Sequence, residues 1–296
     1  MRHPRDRDDR PRDPGTAPLA RGDAVTTEPP DTDTFQITAE AAELYEARFV
    51  PAIFAEWAPL LADLAGVRPG QEVLDAACGT GIVARTVADR LAGDGRVVGL
   101  DLNAAMLAVA RRVRPDLEWR QGDVAALPFP DRSFDVVLCQ MALMFVPDRT
   151  AALREMARVT RPGGTVALCV PAALADQPAY GPFVEVAAQH AGAEARMLLG
   201  TYWACGDLDR LLETAAAAGL AVVDARTHLG TASFDSVEAF VATEVEGSPL
   251  AQRITRDVYD RIRTGARKAL APFTGPDGTV AAPFRGHLLA ARPRQG

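Results

Sequence analysis

The sequence predicts an α/β fold in which a doubly wound, largely parallel sheet is covered by helices. Between residues 70 and 170, short apolar runs alternate with segments of helical periodicity. The apolar runs show no polar face, which is typical of parallel strands buried between layers of helices. A Gly-x-Gly turn, residues 79–81, follows the first run. It lies at the strand end where open sheets of this class bind ligands.

The periodicity predicts each element in chain order. Two helical patterns precede the sheet, and the second stops at Gly66. Strands are predicted at QEVLDA, GRVVGLD, LEWRQGD, SFDVVLCQ, GTVALCV, AVVDARTHL and APFRGHLLAARP. Helices are predicted at GIVARTVADRLA, at NAAMLAVARRV with Asn103 at its start, at RTAALREMARV and at DLDRLLETAAAAGL. Two more helices, within residues 235–270, are broken at Gly247-Ser248-Pro249.

The chain is expected to hold one folded domain behind a tail. Residues 1–34 mix both charge signs with proline and lack an apolar run, so we expect this tail to be disordered. Residues 35–296 are expected to form the domain, with N-terminal helices in 35–66 and the core in 70–170. The segments 172–206 and 234–275 interrupt the alternation, and we expect them to be helical lid insertions over the carboxyl edge of the sheet.

Composition and charge exclude several classes of function. The net charge of -7 argues against nucleic acid as a partner. The four cysteines form no C-x-x-C pair and no ligand-like spacing with the histidines, so we expect no metal and a reducing, cytoplasmic setting. No secretory signal or membrane-length apolar run occurs, so no membrane association is expected.

The glycine turn carries the main evidence for function. Residues 79–84 satisfy the dinucleotide pattern G-x-G-x-x-A, and Asp101 lies about twenty residues on, which alone would indicate an NAD-dependent oxidoreductase. Asp75, however, stands beside the turn and would repel a pyrophosphate. A carboxylate there suits a ligand that carries an ammonium group. The expected ligand therefore has an adenosine part and a positively charged amino-acid part.

Residues 70–170 resemble the class I S-adenosylmethionine-dependent methyltransferases in the order and spacing of their motifs. VLDAACGTG resembles the first motif, VVGLDLNAAML the second, QGDVAALPF the third, FDVVLCQMALMFVPD the fourth strand with its loop, and RPGGTVAL the turn into the fifth. The likeness is to the small-molecule, ubiquinone/menaquinone C-methyltransferase-like branch (methyltransferase type 11). The resemblance implies a Rossmann-like seven-stranded sheet with an antiparallel last strand, and S-adenosyl-L-methionine as the cofactor.

The resemblance also implies roles for individual residues. Asp75 is expected toward the methionine amino group, Asp101 at both ribose hydroxyls, Asp123 at the adenine amino group, and the Val124 N–H at a ring nitrogen. Tyr45 is expected over the methionine carboxylate. The predicted cofactor-binding residues are Tyr45, Asp75, Ala77, Gly79, Gly81, Asp101, Leu102, Met106, Asp123, Val124, Cys139 and Gln140.

One departure from the first motif is Ala77, which stands where many relatives have glycine. We expect the turn to tolerate it through a negative φ at this position.

The loop after the fourth strand lacks two sequence patterns that would indicate other classes of methyl acceptor. It has no Asn-Pro-Pro-Tyr-like sequence, which is typical of enzymes that methylate exocyclic or amide nitrogens, and no acid cluster for Mg²⁺. Its apolar side chains, with aromatic residues of the first insertion, predict a partly apolar acceptor site. The predicted substrate-binding residues are Met141, Met144, Phe145, Tyr202 and Trp203. His190, on a helix of the proposed lid, is the candidate for a general base.

The sequence therefore predicts transfer of a methyl group from S-adenosylmethionine to carbon or oxygen of a quinone, polyketide or phenolic molecule. A protein that binds the cofactor without methylating, as a cyclase or regulatory subunit, remains open, because its cofactor motifs would look the same. An NAD-dependent oxidoreductase is the other alternative.

Overall fold

The apolar runs form the strands of one mixed sheet. In the computed structural model, which describes residues 38–294, the strands are β1 Gln71–Ala76, β2 Gly95–Asp101, β3 Glu118–Gln121, β4 Phe134–Gln140, β5 Thr160–Pro171, β6 Leu220–Phe234 and β7 Val280–Pro293. The sheet order is β3-β2-β1-β4-β5-β7-β6. Strands β1 to β5 pair in parallel, and β7 is antiparallel to both β5 and β6. The predicted doubly wound sheet with an antiparallel last strand is confirmed.

Helices pack around this sheet. Their bounds are α1 Ala39–Leu44, α2 Trp57–Leu64, α3 Ile82–Leu91, α4 Ala104–Val113, α5 Arg149–Val159, α6 Tyr180–Gly200, α7 Leu208–Ala217, α8 Val237–Val241 and α9 Arg256–Ala269. Helices α2 and α3 pack on each other and on the central strands, while α5 and α7 pack on each other beside β5 and β6. Within residues 38–294, no helix combines the length and apolar character that a membrane crossing requires.

The centre of the sheet is apolar on both faces, as the sequence predicts. Val73, Leu74 and Ala76 of β1 are fully buried, and so are Val137 and Leu138 of β4. A strand buried on both faces can be covered only by helices on both faces, which is why β-α-β units recur through this part of the chain.

Side-chain caps set where several helices begin. Asn103 caps α4, accepting hydrogen bonds from the N–H groups of Ala105 and Met106 at 2.9 and 3.3 Å. Asp148 caps α5 in the same way through the Ala151 N–H at 2.8 Å. The predicted start of α4 at Asn103 is therefore confirmed.

The predicted bounds were wrong for the outer strands. The sequence predicts the sixth strand at 221–229, but β6 continues to Phe234. It does so because β7 lies beside it along its whole length, from the pair Leu220–Pro293 to the pair Phe234–Val280. Long-range pairing of this kind leaves no signal in the local sequence.

The N-terminal helices also differ from the prediction of two separate α-helices. Between α1 and α2, residues Tyr45–Phe54 form a π-helical segment that contains Pro51. Proline lacks an N–H, and its ring collides with the carbonyl four residues earlier in an α-helix. Widening to the five-residue spacing, seen in the Ala55 N–H bond to the Val50 carbonyl at 2.8 Å, avoids that collision.

The structure describes the two predicted insertions but not the predicted tail. Residues 172–206 contain α6, with a kink at Gly192, and residues 234–275 contain α8, a second π-helical segment Ala242–Glu246 and α9. Helix α6 packs on α9. The bounds of these insertions and of the domain stay predictions. The predicted tail, residues 1–34, lies outside the described residues.

The two glycines of the turn differ in what surrounds them. Gly81 has a φ of +88°, and a Cβ there would lie 2.2 Å from the ring of Trp119 on β3. Gly79 has a φ of +55°, and its Cβ would lie 3.6 Å from the Tyr45 hydroxyl, an ordinary contact. Gly81 is therefore required by packing inside the fold.

We expect Gly81→Ala to lower the free energy of unfolding by about 2–4 kcal/mol, from left-handed backbone strain and overpacking against Trp119. Gly79→Ala should lower the free energy of unfolding by only about 1 kcal/mol, because it adds left-handed backbone strain but no overpacking. Urea unfolding of both variants measures the difference. Equal losses would contradict the assigned packing.

Candidate functional site

The glycine turn is held by the acid that ends β2. The Asp101 carboxylate accepts hydrogen bonds from the Gly79 N–H at 2.7 Å and from the Asn103 N–H at 2.8 Å. The Cys78 N–H also donates to the Leu100 carbonyl at 2.9 Å. The turns after β1 and β2 are thereby tied together at the carboxyl edge of the sheet. Burial raises the pKa of Asp101 above its ordinary value, although the N–H groups of Asn103 and Gly79 oppose that shift.

Asp75 has a structural role that the sequence did not indicate. Its side chain is 1% exposed, and Oδ2 accepts a hydrogen bond from the Ala84 N–H at 2.9 Å. Ala84 is the third residue of α3, whose N-cap, Gly81, has no side chain to offer. Asp75 therefore supplies from β1 the acceptor that a capping side chain normally provides. Burial raises the pKa of Asp75 to about 7, and the neighbouring charge of Asp101 adds to the shift.

The expectation of a negative φ at Ala77 is wrong. Ala77 has a φ of +58°, in the left-handed region that favours glycine. Met141, which follows the adjacent strand β4, has a φ of +51°. Two strained non-glycine residues thus lie at the ends of neighbouring strands, beside the glycine turn. Strain of this kind is concentrated at functional sites.

The remaining predicted cofactor residues differ in exposure. Asp123 is exposed beyond β3, where its Oδ1 accepts from the Ala125 N–H at 2.8 Å, while Val124 is buried. Leu102 is 39% exposed at the end of β2.

Cys139 and Gln140 are buried in β4, and the Gln140 amide donates to the Phe54 carbonyl at 3.0 Å. Their contacts with a cofactor stay predictions.

A cavity with about 830 Å³ of empty space, including its open mouth, lies beside the turn. Its wall combines the first π-helical segment, the loop after β4 and both insertions. All five predicted substrate-binding residues line it: Met141, Met144, Phe145, Tyr202 and Trp203. The other lining residues are Ala41, Leu44, Tyr45, Phe49, Ile53, Phe54, Met106, Pro171, Tyr180, Glu244, Glu246, Gly247 and Phe284.

Aromatic rings dominate this wall. Tyr45 stacks on Phe54 with a centroid distance of 5.3 Å, and Phe145 meets Tyr202 edge to face at 5.5 Å. Trp203 lies 5.1 Å from Tyr180 by ring centroids. Such a surface suits a flat, apolar molecule, because aromatic faces and edges provide large contact areas with defined geometry.

Tyr45 belongs to both halves of the site. Its ring lies against Gly79 of the turn and also lines the cavity. Burial, and next the charge of Asp101, raise the pKa of the Tyr45 hydroxyl above its ordinary value, so it stays a hydrogen-bond donor at neutral pH. Tyr45 thus lies next to the glycine turn, and its contact with a methionine carboxylate stays a prediction.

Glu244, which lies in the second predicted insertion, also belongs to the cavity wall. Glu244 lines the cavity, is 6% exposed and has a pKa raised by burial to about 8. Its position four residues after Phe240, on the same side of the predicted helix, was a signal that it would be buried.

His190, by contrast, is half-buried on α6 and is not among the cavity-lining residues. Its catalytic role stays a prediction without support from the cavity. Within residues 38–294, no group of three or more His, Cys, Asp and Glu side chains is suited to hold a metal ion.

Comparison with known proteins agrees with this geometry. Residues 74–168 match the Methyltransferase domain family. The chain is 45% identical over 127 residues to the demethylmenaquinone methyltransferase of Renibacterium salmoninarum, an alignment that covers 43% of this chain and 51% of that protein. The chain therefore spans about half the length of this relative.

Solved structures show the same fold. The YcgJ protein of Bacillus subtilis has a TM-score of 0.56 at 21% identity, over 81% of this chain and 99% of that chain. The cyclase SpnF has a TM-score of 0.51 at 22% identity, over 82% of each chain. At these identities the likeness concerns the fold alone. Residues 74–168 thus match a methyltransferase domain, and the chain has the Rossmann-like fold that its motifs predict.

Proposed function

We propose that the protein transfers the methyl group of S-adenosylmethionine to carbon or oxygen of a small, partly apolar molecule of the quinone, polyketide or phenolic type. One observation carries the proposal: an aromatic-walled cavity meets the glycine turn at Tyr45. A cofactor on the turn and an acceptor in the cavity would then lie side by side. Alignment of two reactants can lower a barrier by up to about 7–11 kcal/mol.

The residues at the carboxyl edge fit this cofactor. Asp101 uses its two oxygens for two backbone N–H groups, and a carboxylate has about four lone-pair sites, so acceptors remain for the ribose hydroxyls. Asp123 is exposed toward solvent, where it can accept from an amino group. When bound, S-adenosylmethionine supplies an electrophilic methyl group on a positively charged sulfur. The buried Asp75 and the half-buried Asp101 favour a cationic ligand nearby.

The same geometry disfavours a dinucleotide. A pyrophosphate would bind at the N-terminus of α3, where the Ala84 N–H already donates to the Asp75 carboxylate at 2.9 Å. A phosphate would have to displace that negative charge or lie beside it. The electrostatics therefore support the cationic cofactor over NAD.

The aromatic-walled cavity supports the proposed substrate class. The relative from Renibacterium salmoninarum is named as a methyltransferase of demethylmenaquinone, a quinone. The aromatic walls of the cavity suit a flat molecule of that class. The described cysteines, Cys78, Cys139, Cys169 and Cys205, are free and buried, which supports the proposed cytoplasmic setting. The net charge of -7 supports a small molecule over nucleic acid as partner.

A protein that binds the cofactor without methylating is the second candidate. The cyclase SpnF has a similar fold, so the fold does not decide between the two. Cofactor binding and methyl transfer therefore require separate measurements.

We expect S-adenosylmethionine to raise the melting temperature and NAD to leave it unchanged, because only a bound ligand stabilises the folded state. Incubation with methyl-labelled S-adenosylmethionine and a small-molecule extract of the source organism should then give a labelled product by mass analysis. Cofactor binding without any labelled product would favour the second candidate. A shift with NAD alone would contradict the proposal.

We expect Asp101→Ala to weaken S-adenosylmethionine binding by about tenfold or more, because hydrogen bonds to a charged group contribute about 1.5–3 kcal/mol each. Titration calorimetry measures the change. Asp209→Ala, an exposed acid on α7, serves as the matched control and should bind as the native protein does. Unchanged affinity in Asp101→Ala would refute the ribose assignment.

Asp75 should make stability depend on pH. Its pKa rises from 3.8 in the unfolded chain to about 7 in the folded protein, so the folded state holds the proton more tightly. Stability is therefore lost as the pH rises from about 4 to about 7. Asp75→Asn keeps an acceptor for the Ala84 N–H but cannot ionise. Relative to the native protein, it should gain at least about 1 kcal/mol between pH 5 and pH 8 in urea unfolding. An identical pH dependence in both proteins would show that Asp75 is not the group responsible.

A further inference from the structure

Glu244 is a buried acid with an unsatisfied oxygen in the cavity wall. It lies in the π-helical segment Ala242–Glu246 and is 6% exposed. Within residues 38–294, its Oε1 has no hydrogen-bond partner, and neither does the hydroxyl of Tyr180, which lines the same cavity. Buried polar groups in folded proteins are nearly always hydrogen-bonded, and each exception requires an explanation.

Aromatic packing holds the helix that precedes Glu244 in the interior. Phe240, on α8, meets Tyr180 and Phe183 of α6 with ring centroids 5.2 and 5.0 Å apart, and Phe234 of β6 at 4.9 Å. These rings anchor the chain just before Glu244 in the apolar interior. Where this anchored chain reaches the cavity, Glu244 is only 6% exposed.

The titratable groups near Glu244 are either neutral hydroxyls or charged groups that pair with each other. Tyr180 of α6 and Tyr202 of the short helix Thr201–Trp203 are close enough for its charge to raise their pKa values further, and burial keeps both hydroxyls neutral. Glu246, on the same segment, accepts hydrogen bonds from Tyr259 at 2.9 Å and from Arg48 at 3.4 Å. Tyr45 contributes a further neutral hydroxyl to the cavity. The arginine next to this segment thus pairs with Glu246.

We propose that Glu244 determines acceptor specificity by receiving the hydrogen bond of a neutral donor group, such as a hydroxyl, carried by an otherwise apolar acceptor. This inference rests on the proposed function, since it assigns the cavity to the methyl acceptor. The aromatic wall holds the apolar body of the molecule, and Glu244 holds its single polar end. An acceptor would therefore enter in one orientation, with its donor group at Glu244.

The protonation state of Glu244 gives the inference a distinctive signature. An ionised carboxylate only accepts hydrogen bonds, whereas a protonated carboxyl both donates and accepts. Below pH 8, the protonated group can bind an alcohol or an ether. Above pH 8, where Glu244 loses its proton, it can bind the alcohol but not the ether. Preference for the alcohol should therefore grow as the pH rises.

The test uses 1-naphthalenemethanol and its methyl ether, two probes that stay neutral over the pH range. Titration calorimetry of the whole protein should give affinities within about threefold of each other at pH 6. At pH 9.5, the alcohol should bind about tenfold more tightly than the ether, or better. Glu244→Gln, whose amide both donates and accepts, should show a small preference that does not change with pH. Glu244→Leu should bind both probes equally.

Glu238→Gln on α8, an acid paired with Arg267 at the protein surface, is the control and should behave as the native protein does. A native preference that is independent of pH would overturn the inference, as would a preference that survives in Glu244→Leu or failure of both probes to bind. A variant that fails to fold is recognised by its melting curve, and Glu244→Gln should melt higher than the native protein at pH 9.5.

The two proposals fail separately. Loss of cofactor binding or of labelled product in the native protein contradicts the proposed function, whatever the probes do. Methyl transfer without a pH-dependent alcohol preference leaves the proposed function in place and removes the role of Glu244.

Discussion

The hydrogen bonds of the Asp101 carboxylate are the constraint on which the site depends. Parallel strands end at one edge of the sheet, and the turns that follow β1 and β2 would otherwise be free to separate there. Asp101 joins them by accepting from the N–H groups of Gly79 and Asn103. The position of Gly79 fixes the surface on which Tyr45 lies, and Tyr45 in turn forms part of the cavity wall. One carboxylate thus relates the glycine turn to the aromatic-walled cavity.

The buried acids show how function and stability oppose each other in this domain. Asp75 and Glu244 are buried and Asp101 is half-buried, and loss of contact with water raises the pKa of each. A core built for stability alone would replace them with apolar side chains of similar volume. Asp75 is compensated in part because it caps α3. Glu244 has no such compensation from its Oε1, and it is this difference that separates a structural acid from one available to a ligand.

Much of the fold could be predicted from the sequence because its signals are local. Strands β1 and β2 have the predicted bounds, since each has an apolar centre between clear turns, and Asn103 begins α4 because its side chain is a strong cap. The five predicted substrate-binding residues line one cavity, where the loop after β4 meets the short helix Thr201–Trp203. The length of β6, the φ of Ala77 and the capping by Asp75 could not be predicted. Each depends on a partner distant in sequence or on backbone geometry that a single residue type does not determine.

The first π-helical segment would influence how the two proposed ligands, cofactor and acceptor, affect each other's binding. Its residues Tyr45, Phe49 and Phe54 stack as one aromatic unit, with Tyr45 against the glycine turn and all three in the cavity wall. A molecule that moves this unit from one side changes the shape presented on the other. The two binding equilibria are then linked, and linkage is reciprocal: whatever factor the first ligand adds to the affinity of the second, the second adds to the first. The order in which cofactor and acceptor bind would change the pathway of assembly. It would not change the stability of the complex that contains the protein and both ligands.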